Sequence, residues 1–208
     1  MTDNSLFNIN KQFKIKFMRI KPLSPDTLGA ELRFVHDEIT NLVGHSQKEV
    51  NMTDTNGGLL GPFAPMLHFP QFGIPALSFL RTLDMNASLA KDVREVAILT
   101  VAAAYGAKFE LYAHEIMAAT FGLSPSAIAT LAAGGRPNEL DEQQAIAHDV
   151  AHALVTGRIV PDSTYKQAVT MVGKEGAGEL IFLIAAYCLI ALVLNGFDMP
   201  APDNNQDL

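Results

Sequence analysis

The chain has no tryptophan and a single cysteine, Cys188, among 208 residues. One thiol excludes an intramolecular disulfide and any chemistry that needs two cysteines in one subunit, and it fits a reducing compartment. Charged residues make up only 18% of the chain. The N-terminus lacks the apolar run of a signal peptide, so a cytoplasmic location is expected. The uncharged run Leu180–Leu194 has fifteen residues, short of the roughly twenty that a membrane span takes. It reads instead as a helix buried in a core or at a subunit contact.

Strand-like alternation is also scarce, whereas alanine-rich apolar runs abound. That balance favours an all-α domain, and the length suits one core. The formal charge of -7 is unevenly spread. Lys11, Lys14, Lys16, Arg19 and Lys21 against Asp3 give residues 1–21 a sum of +4, leaving -11 on the remainder. An acidic body argues against nucleic acid as a partner. The basic arm reads as a solvated extension, since no second signal supports membrane anchoring. Within it, Phe13, Ile15 and Phe17 alternate with Lys14 and Lys16, a pattern that suits a short strand or an arm reaching a neighbour. The expected organisation is an extension over 1–21, one domain over 22–200 and a tail over 201–208.

Helix punctuation is clear along the domain. Ser24-Pro25 predicts a helix to about Val43. Residues 45–75 are rich in glycine and proline and predict an irregular stretch, with Gly57–Pro70 as a loop over a pocket and His68 within it. Helices are then expected over 75–86, 89–105 (capped by Ser88), 107–121, 124–134, 141–156, 162–173 and 177–195. Gly106 separates the third from the second of these, and Asp141 with Gln144 forms a capping box.

The stretch Arg94–Gly122, REVAILTVAAAYGAKFELYAHEIMAATFG, carries the candidate chemistry. Glu110 and His114 are four apart on one helical face. Glu95 precedes Gly106 by eleven residues and His114 follows it by eight, so an antiparallel turn at Gly106 sets the two at similar heights. A carboxylate beside an imidazole holds the ring and lets it give or take a proton near neutrality. The alternative is a salt bridge that fixes two helices. His148 and His152 also share a face, but no third ligand has recognisable spacing and no metal is expected. Cys188 reads as packing, while Arg81, Arg94 and Arg158 are candidates for an anion.

These residues resemble the core of the carboxymuconolactone decarboxylase family, which includes the alkylhydroperoxidase D-like proteins. The block REVAILTVAAAYGAKFELYAHEIMAATFGLSPSAIATLAAG carries the likeness, AGELIFLIAAYCLIALVLNGFDMP looks like a closing helix, and GGLLGPFAPMLHFP resembles an early loop. The resemblance implies an all-α, AhpD-like helical bundle that forms homo-oligomers, commonly trimers or hexamers. In the peroxidase branch two cysteines stand seven and four residues before the histidine; here those positions hold Ala107 and Glu110. That disfavours alkylhydroperoxidase activity. The cysteine-free branch implies cofactor-independent decarboxylation of a small unsaturated or lactone carboxylic acid. In that reading His114 delivers the proton, Glu95 orients it, Glu110 lines the pocket, and His68 or Arg81 binds the anionic end of the substrate. Another proton-transfer lyase or isomerase, or a non-catalytic oligomeric binding protein, would use the same residues.

Overall fold

The computed structural model describes residues 18–46 and 50–202, and among them the periodic apolar runs become eight α-helices with no strand. These are α1 (Ala30–Ser46), α2 (Phe63–His68), α3 (Pro70–Met85), α4 (Lys91–Tyr105), α5 (Lys108–Thr120), α6 (Pro125–Ala132), α7 (Glu142–His152) and α8 (Asp162–Gly196). The alternating stretch Phe13–Phe17 lies outside the described residues, as do 203–208 of the expected tail.

The bundle is organised around α4. Apart from Arg94, every residue from Val93 to Ala102 on it is buried. A helix that is covered on all sides must be the centre of its domain. It packs against α5, α6, α7 and α8. Gly106 ends α4 in the left-handed region (φ 60°, ψ 34°), which lets the chain reverse within two residues and sends α5 back along α4. Asp141 and Gln144 form the expected reciprocal cap on α7, and the Ser124 hydroxyl accepts the Ala127 N–H at the start of α6.

Three expectations are corrected. Ser24-Pro25 starts only a single 3-10 turn, Pro25–Thr27. There the Thr27 hydroxyl donates to the Ser24 carbonyl, and α1 begins at Ala30. Ser88 does not cap α4. Its N–H and hydroxyl both donate to Glu179 Oε2 on α8, at 2.6 Å each, with the Leu89 N–H at 3.1 Å. Finally, Gly57–Pro70 is no loop over a pocket. After a turn closed by Asp54, whose Oδ1 accepts the N–H groups of Asn56 and Gly58, the chain forms α2. Five of its six residues, Phe63 to Leu67, are buried. Pro65 is tolerated because it stands in the first turn, where backbone N–H groups have no helical partner.

The two final helices expected from sequence are one element, α8, with a kink where Gly173 adopts φ 74° and ψ 171°. By length and composition α8 is able to cross a membrane. In the fold, however, Leu180, Leu183, Ile184, Ile190 and Leu194 are buried on one face, packed against α4 and α7. Its other face leaves Phe182, Leu189 and Leu192 exposed.

Close approach also fixes the α2–α3 pair. A Cβ on Gly73 would sit 2.3 Å from the Met66 carbonyl oxygen and 2.5 Å from its Cα. Backbone atoms cannot swing aside. Gly73→Ala is therefore expected to cost about 1–3 kcal/mol of stability by urea denaturation, the usual penalty of overpacking. An unchanged midpoint would show that the two helices are free to separate.

Candidate active site

The turn at Gly106 brings the expected pair together. His114 on α5 donates from Nδ1 to Glu95 Oε2 on α4 at 2.8 Å. This bond commits the imidazole to one tautomer in its neutral form and leaves Nε2 as the second functional nitrogen. Both residues are buried, with 3% of Glu95 and 6% of His114 exposed. The Tyr187 ring of α8 stands edge-on to His114 at 5.0 Å between centroids. Burial, reinforced by the Glu95 carboxylate, holds the Tyr187 hydroxyl well above its ordinary pKa. It stays protonated in the physiological range.

Glu110 lies one turn before His114 on α5, and only 2% of it is exposed. Neither carboxyl oxygen has a hydrogen-bond partner among the described residues. Desolvation pushes its pKa well above the usual carboxylate range. A lone buried charge is far more costly than a neutral acid, so the group keeps its proton. The site thus joins an acid–imidazole pair, a proton-bearing carboxyl and a tyrosine ring.

The other two predicted site residues are engaged elsewhere. His68 donates from Nε2 to the Lys21 carbonyl at 2.8 Å, tying the N-terminal strap to the end of α2. Arg81 lies 3.8 Å from Glu38, and both side chains are about half-exposed, at 45% and 46%. Neither contacts the pair, so their substrate-binding role loses its geometric basis. The expected hollow beside His114 is corrected as well. Depressions on α8 and around Gly106–Lys108 are lined by other residues, and the pair itself is buried.

Two residues of this region escaped the sequence reading. Tyr187 was hidden as one of two side chains with a polar atom in the apolar run Leu180–Leu194, and that rarity was its only signal. Glu179 stands immediately before that run. Beyond holding Ser88 and Leu89, its Oε1 lies 3.7 Å from Arg94 Nε, one residue from Glu95. Away from the site, the His148 and His152 rings stack at 5.7 Å. His148 bonds Asp149, which also takes two hydrogen bonds from Arg136. No group of three potential ligands suited to a metal ion occurs among the described residues.

The architecture has a counterpart among solved structures. The core of an alkylhydroperoxidase AhpD, an uncharacterized peroxidase-related protein from Ralstonia eutropha JMP134, superposes with a TM-score of 0.72. The match covers 90% of this chain and 93% of that one at 16% identity. No protein-family model and no curated protein matches the sequence. The chain has the all-α, AhpD-like fold. This is the fold that the residues around Arg94–Gly122 led us to expect.

The state of Glu110 predicts a pH dependence. Below the ordinary carboxylate range the folded and unfolded chains both hold this proton. Above it the unfolded chain ionises while the folded chain does not, so this group lowers stability as pH rises until its own folded pKa is reached. Glu110→Gln lacks that dependence. Relative to the parent, the variant should gain stability in urea titrations as the pH rises above the ordinary carboxylate range. Parallel stability profiles above it would mean that Glu110 is ionised in the folded protein.

Proposed function

We propose that the chain is a cofactor-independent proton-transfer enzyme that decarboxylates a small unsaturated or lactone carboxylic acid. The observation that carries this reading is Glu110, a buried, unpartnered, proton-retaining acid one turn from a buried imidazole. Leaving a polar group unpaired in the interior costs about 1–3 kcal/mol, and a structural clasp between α4 and α5 has no use for a third group. In the reaction the carbon–carbon bond to the carboxylate breaks, carbon dioxide leaves, and the electron pair passes into the conjugated system as a dienolate. His114, protonated at Nε2 when the substrate enters, returns that proton to carbon and takes another from water for the next turnover; Glu95 holds the ring through Nδ1, and Glu110 donates a hydrogen bond to the enolate oxygen. The enclosure by apolar helices favours loss of a neutral product and strengthens those electrostatic contacts. Substrate reaches the pair by displacement of Tyr187, the ring that covers His114. The same groups would serve another lyase or an isomerase that moves a proton beside a carbonyl.

In this reading the protein works in the cytoplasm as a homo-oligomer, a trimer or hexamer. The exposed rings of Phe72, Phe79 and Phe182 (72%, 37% and 60% accessible) supply the contact, since so much apolar surface is costly in water. Dithiol peroxidase chemistry has no second thiol available. Burial also pushes the Cys188 pKa upward, away from a reactive thiolate.

The depth of the Glu95–His114 bond favours one competing reading, in which the pair only clasps α4 to α5. A screen of lactone and unsaturated carboxylic acids for released carbon dioxide separates the two. The enzyme reading expects turnover that falls by roughly 10²–10⁴ in Glu110→Gln, with a native circular dichroism spectrum. The clasp reading expects no turnover by any chain, with a loss of about 3–5 kcal/mol in His114→Ala as its only effect. Equal turnover by the parent and Glu110→Gln would remove Glu110 from the mechanism.

A further inference from the structure

The protein has six arginines, and five of them have a partner for the guanidinium. Arg33, Arg81, Arg94 and Arg136 lie beside carboxylates, and Arg19 donates to the Gly196 carbonyl. Arg158 is exposed, and its side chain has no hydrogen bond or ion pair among the described residues. Its backbone is unusual as well. α7 runs into a π-helical turn, Ala153–Gly157, and Arg158 follows in the left-handed region at φ 61° and ψ 10°. A Cβ disfavours that conformation. It persists where the surroundings hold it, and such positions cluster at ligand-binding sites. Turns of the π type do the same.

The π turn packs against α4. Arg158 thereby comes within electrostatic reach of Tyr105, the last residue of that helix. The Tyr105 hydroxyl bonds to the Cys188 thiol on α8; that bond, with partial burial, raises the tyrosine pKa, and the Arg158 charge opposes the rise. Cys188 in turn lines a groove of about 650 Å³ on the solvent side of α8, together with Ala185, Leu189, Leu192, Gly196 and Phe197. No charged side chain lines it. Leu189 and Leu192 are 43% and 58% exposed. The volume suits one small molecule, and from Cys188 to Phe197 the groove runs ~14 Å at the rise of an α-helix. This surface thus combines an apolar trough, a hydroxyl and a thiol at its side, and an unpaired guanidinium beyond them.

We propose that this surface binds an aliphatic carboxylic acid of medium chain length. The Arg158 guanidinium holds the carboxylate, and the Tyr105 hydroxyl turns from Cys188 to donate to it. The chain lies along Leu189, Leu192 and Phe197. A planar guanidinium matches a carboxylate through paired hydrogen bonds. The rest of the body is acidic, so a free cation at the edge of an uncharged trough selects an anion with an apolar tail. None of these groups belongs to the Glu95–His114 pair, and the proposal holds whether or not that pair is catalytic.

Cys188 reports the ligand directly. Its rate of reaction with a neutral aromatic disulfide is measured at rising concentrations of decanoate or of decanol. Decanoate should slow the reaction of the parent saturably. Arg158→Asn removes the guanidinium and places a residue that tolerates the left-handed region, so the fold is retained. The decanoate concentration for half protection should then rise about tenfold or more. Decanol has the chain without the charge and should protect both proteins alike, more weakly than decanoate protects the parent. Leu192→Asp, at an exposed position, should remove protection by either compound. Calorimetric titration with decanoate should give the same ranking without the thiol. No protection of the parent by decanoate, or equal half-protection in the parent and Arg158→Asn, would overturn the proposal. So would decanoate protection that survives Leu192→Asp. Protection that grows with protein concentration in the absence of ligand would place a second copy in the groove and overturn it too.

Discussion

The 2.8 Å hydrogen bond between His114 and Glu95 is the constraint around which the rest of the bundle is arranged. It joins the central helix to the one that follows it, inside the core, where neither group can be solvated by water. Both must be satisfied by each other, and that fixes the register of α5 on α4 to within a fraction of a turn. The left-handed glycine at 106 makes the reversal tight enough. Small residues at Ala97, Ala102, Ala107, Ala113 and Ala118, all buried, let the helices come close. Around this pair the remaining helices act as walls, and α8 provides the one that carries Tyr187.

A second polar anchor supports the first. Glu179 reaches from α8 to the loop before α4 and accepts three hydrogen bonds there, while its other oxygen faces Arg94. Arg94 in turn lies 3.5 Å from Asp84 at the end of α3. Three helices are thus tied at the point where α4 begins, four residues before the helix is fully enclosed. This anchoring holds the Glu95 end of the pair, and the Gly106 turn holds the His114 end.

Much of this arrangement was legible in the sequence, for reasons that differ by element. Local chemistry fixes caps and turns, so Asp141–Gln144, Ser124 and Gly106 could be read directly. The Glu95–His114 contact followed from counting residues on either side of one glycine. What could not be read depends on partners distant in the chain. Ser88 has the right side chain to cap a helix, but Glu179, ninety-one residues away, offers a charged acceptor that competes better for its hydroxyl and N–H. The Gly/Pro composition around α2 suggested a loop over a pocket. Burial of Phe63, Met66 and Leu67 outweighs that local preference, because apolar side chains of this size contribute more than the turn signals cost. His68 and Arg81 were placed near the site only by their chemistry, and each found a nearer partner. Glu110 was legible as a residue on the right face. Its isolation and its retained proton were not, since both depend on how completely α4, α5 and α8 exclude water.

The account stands or falls on the protonation of that carboxyl. Isotope-edited infrared spectroscopy at neutral pH reports it without any assumption about substrate. The parent protein should show the carbonyl stretch of a protonated carboxylic acid, absent from Glu110→Gln and unchanged on modest acidification. If the parent shows only carboxylate bands at that pH, Glu110 is charged and hydrated. The buried hydrogen-bond donor that distinguishes this site from a simple clasp would then not exist.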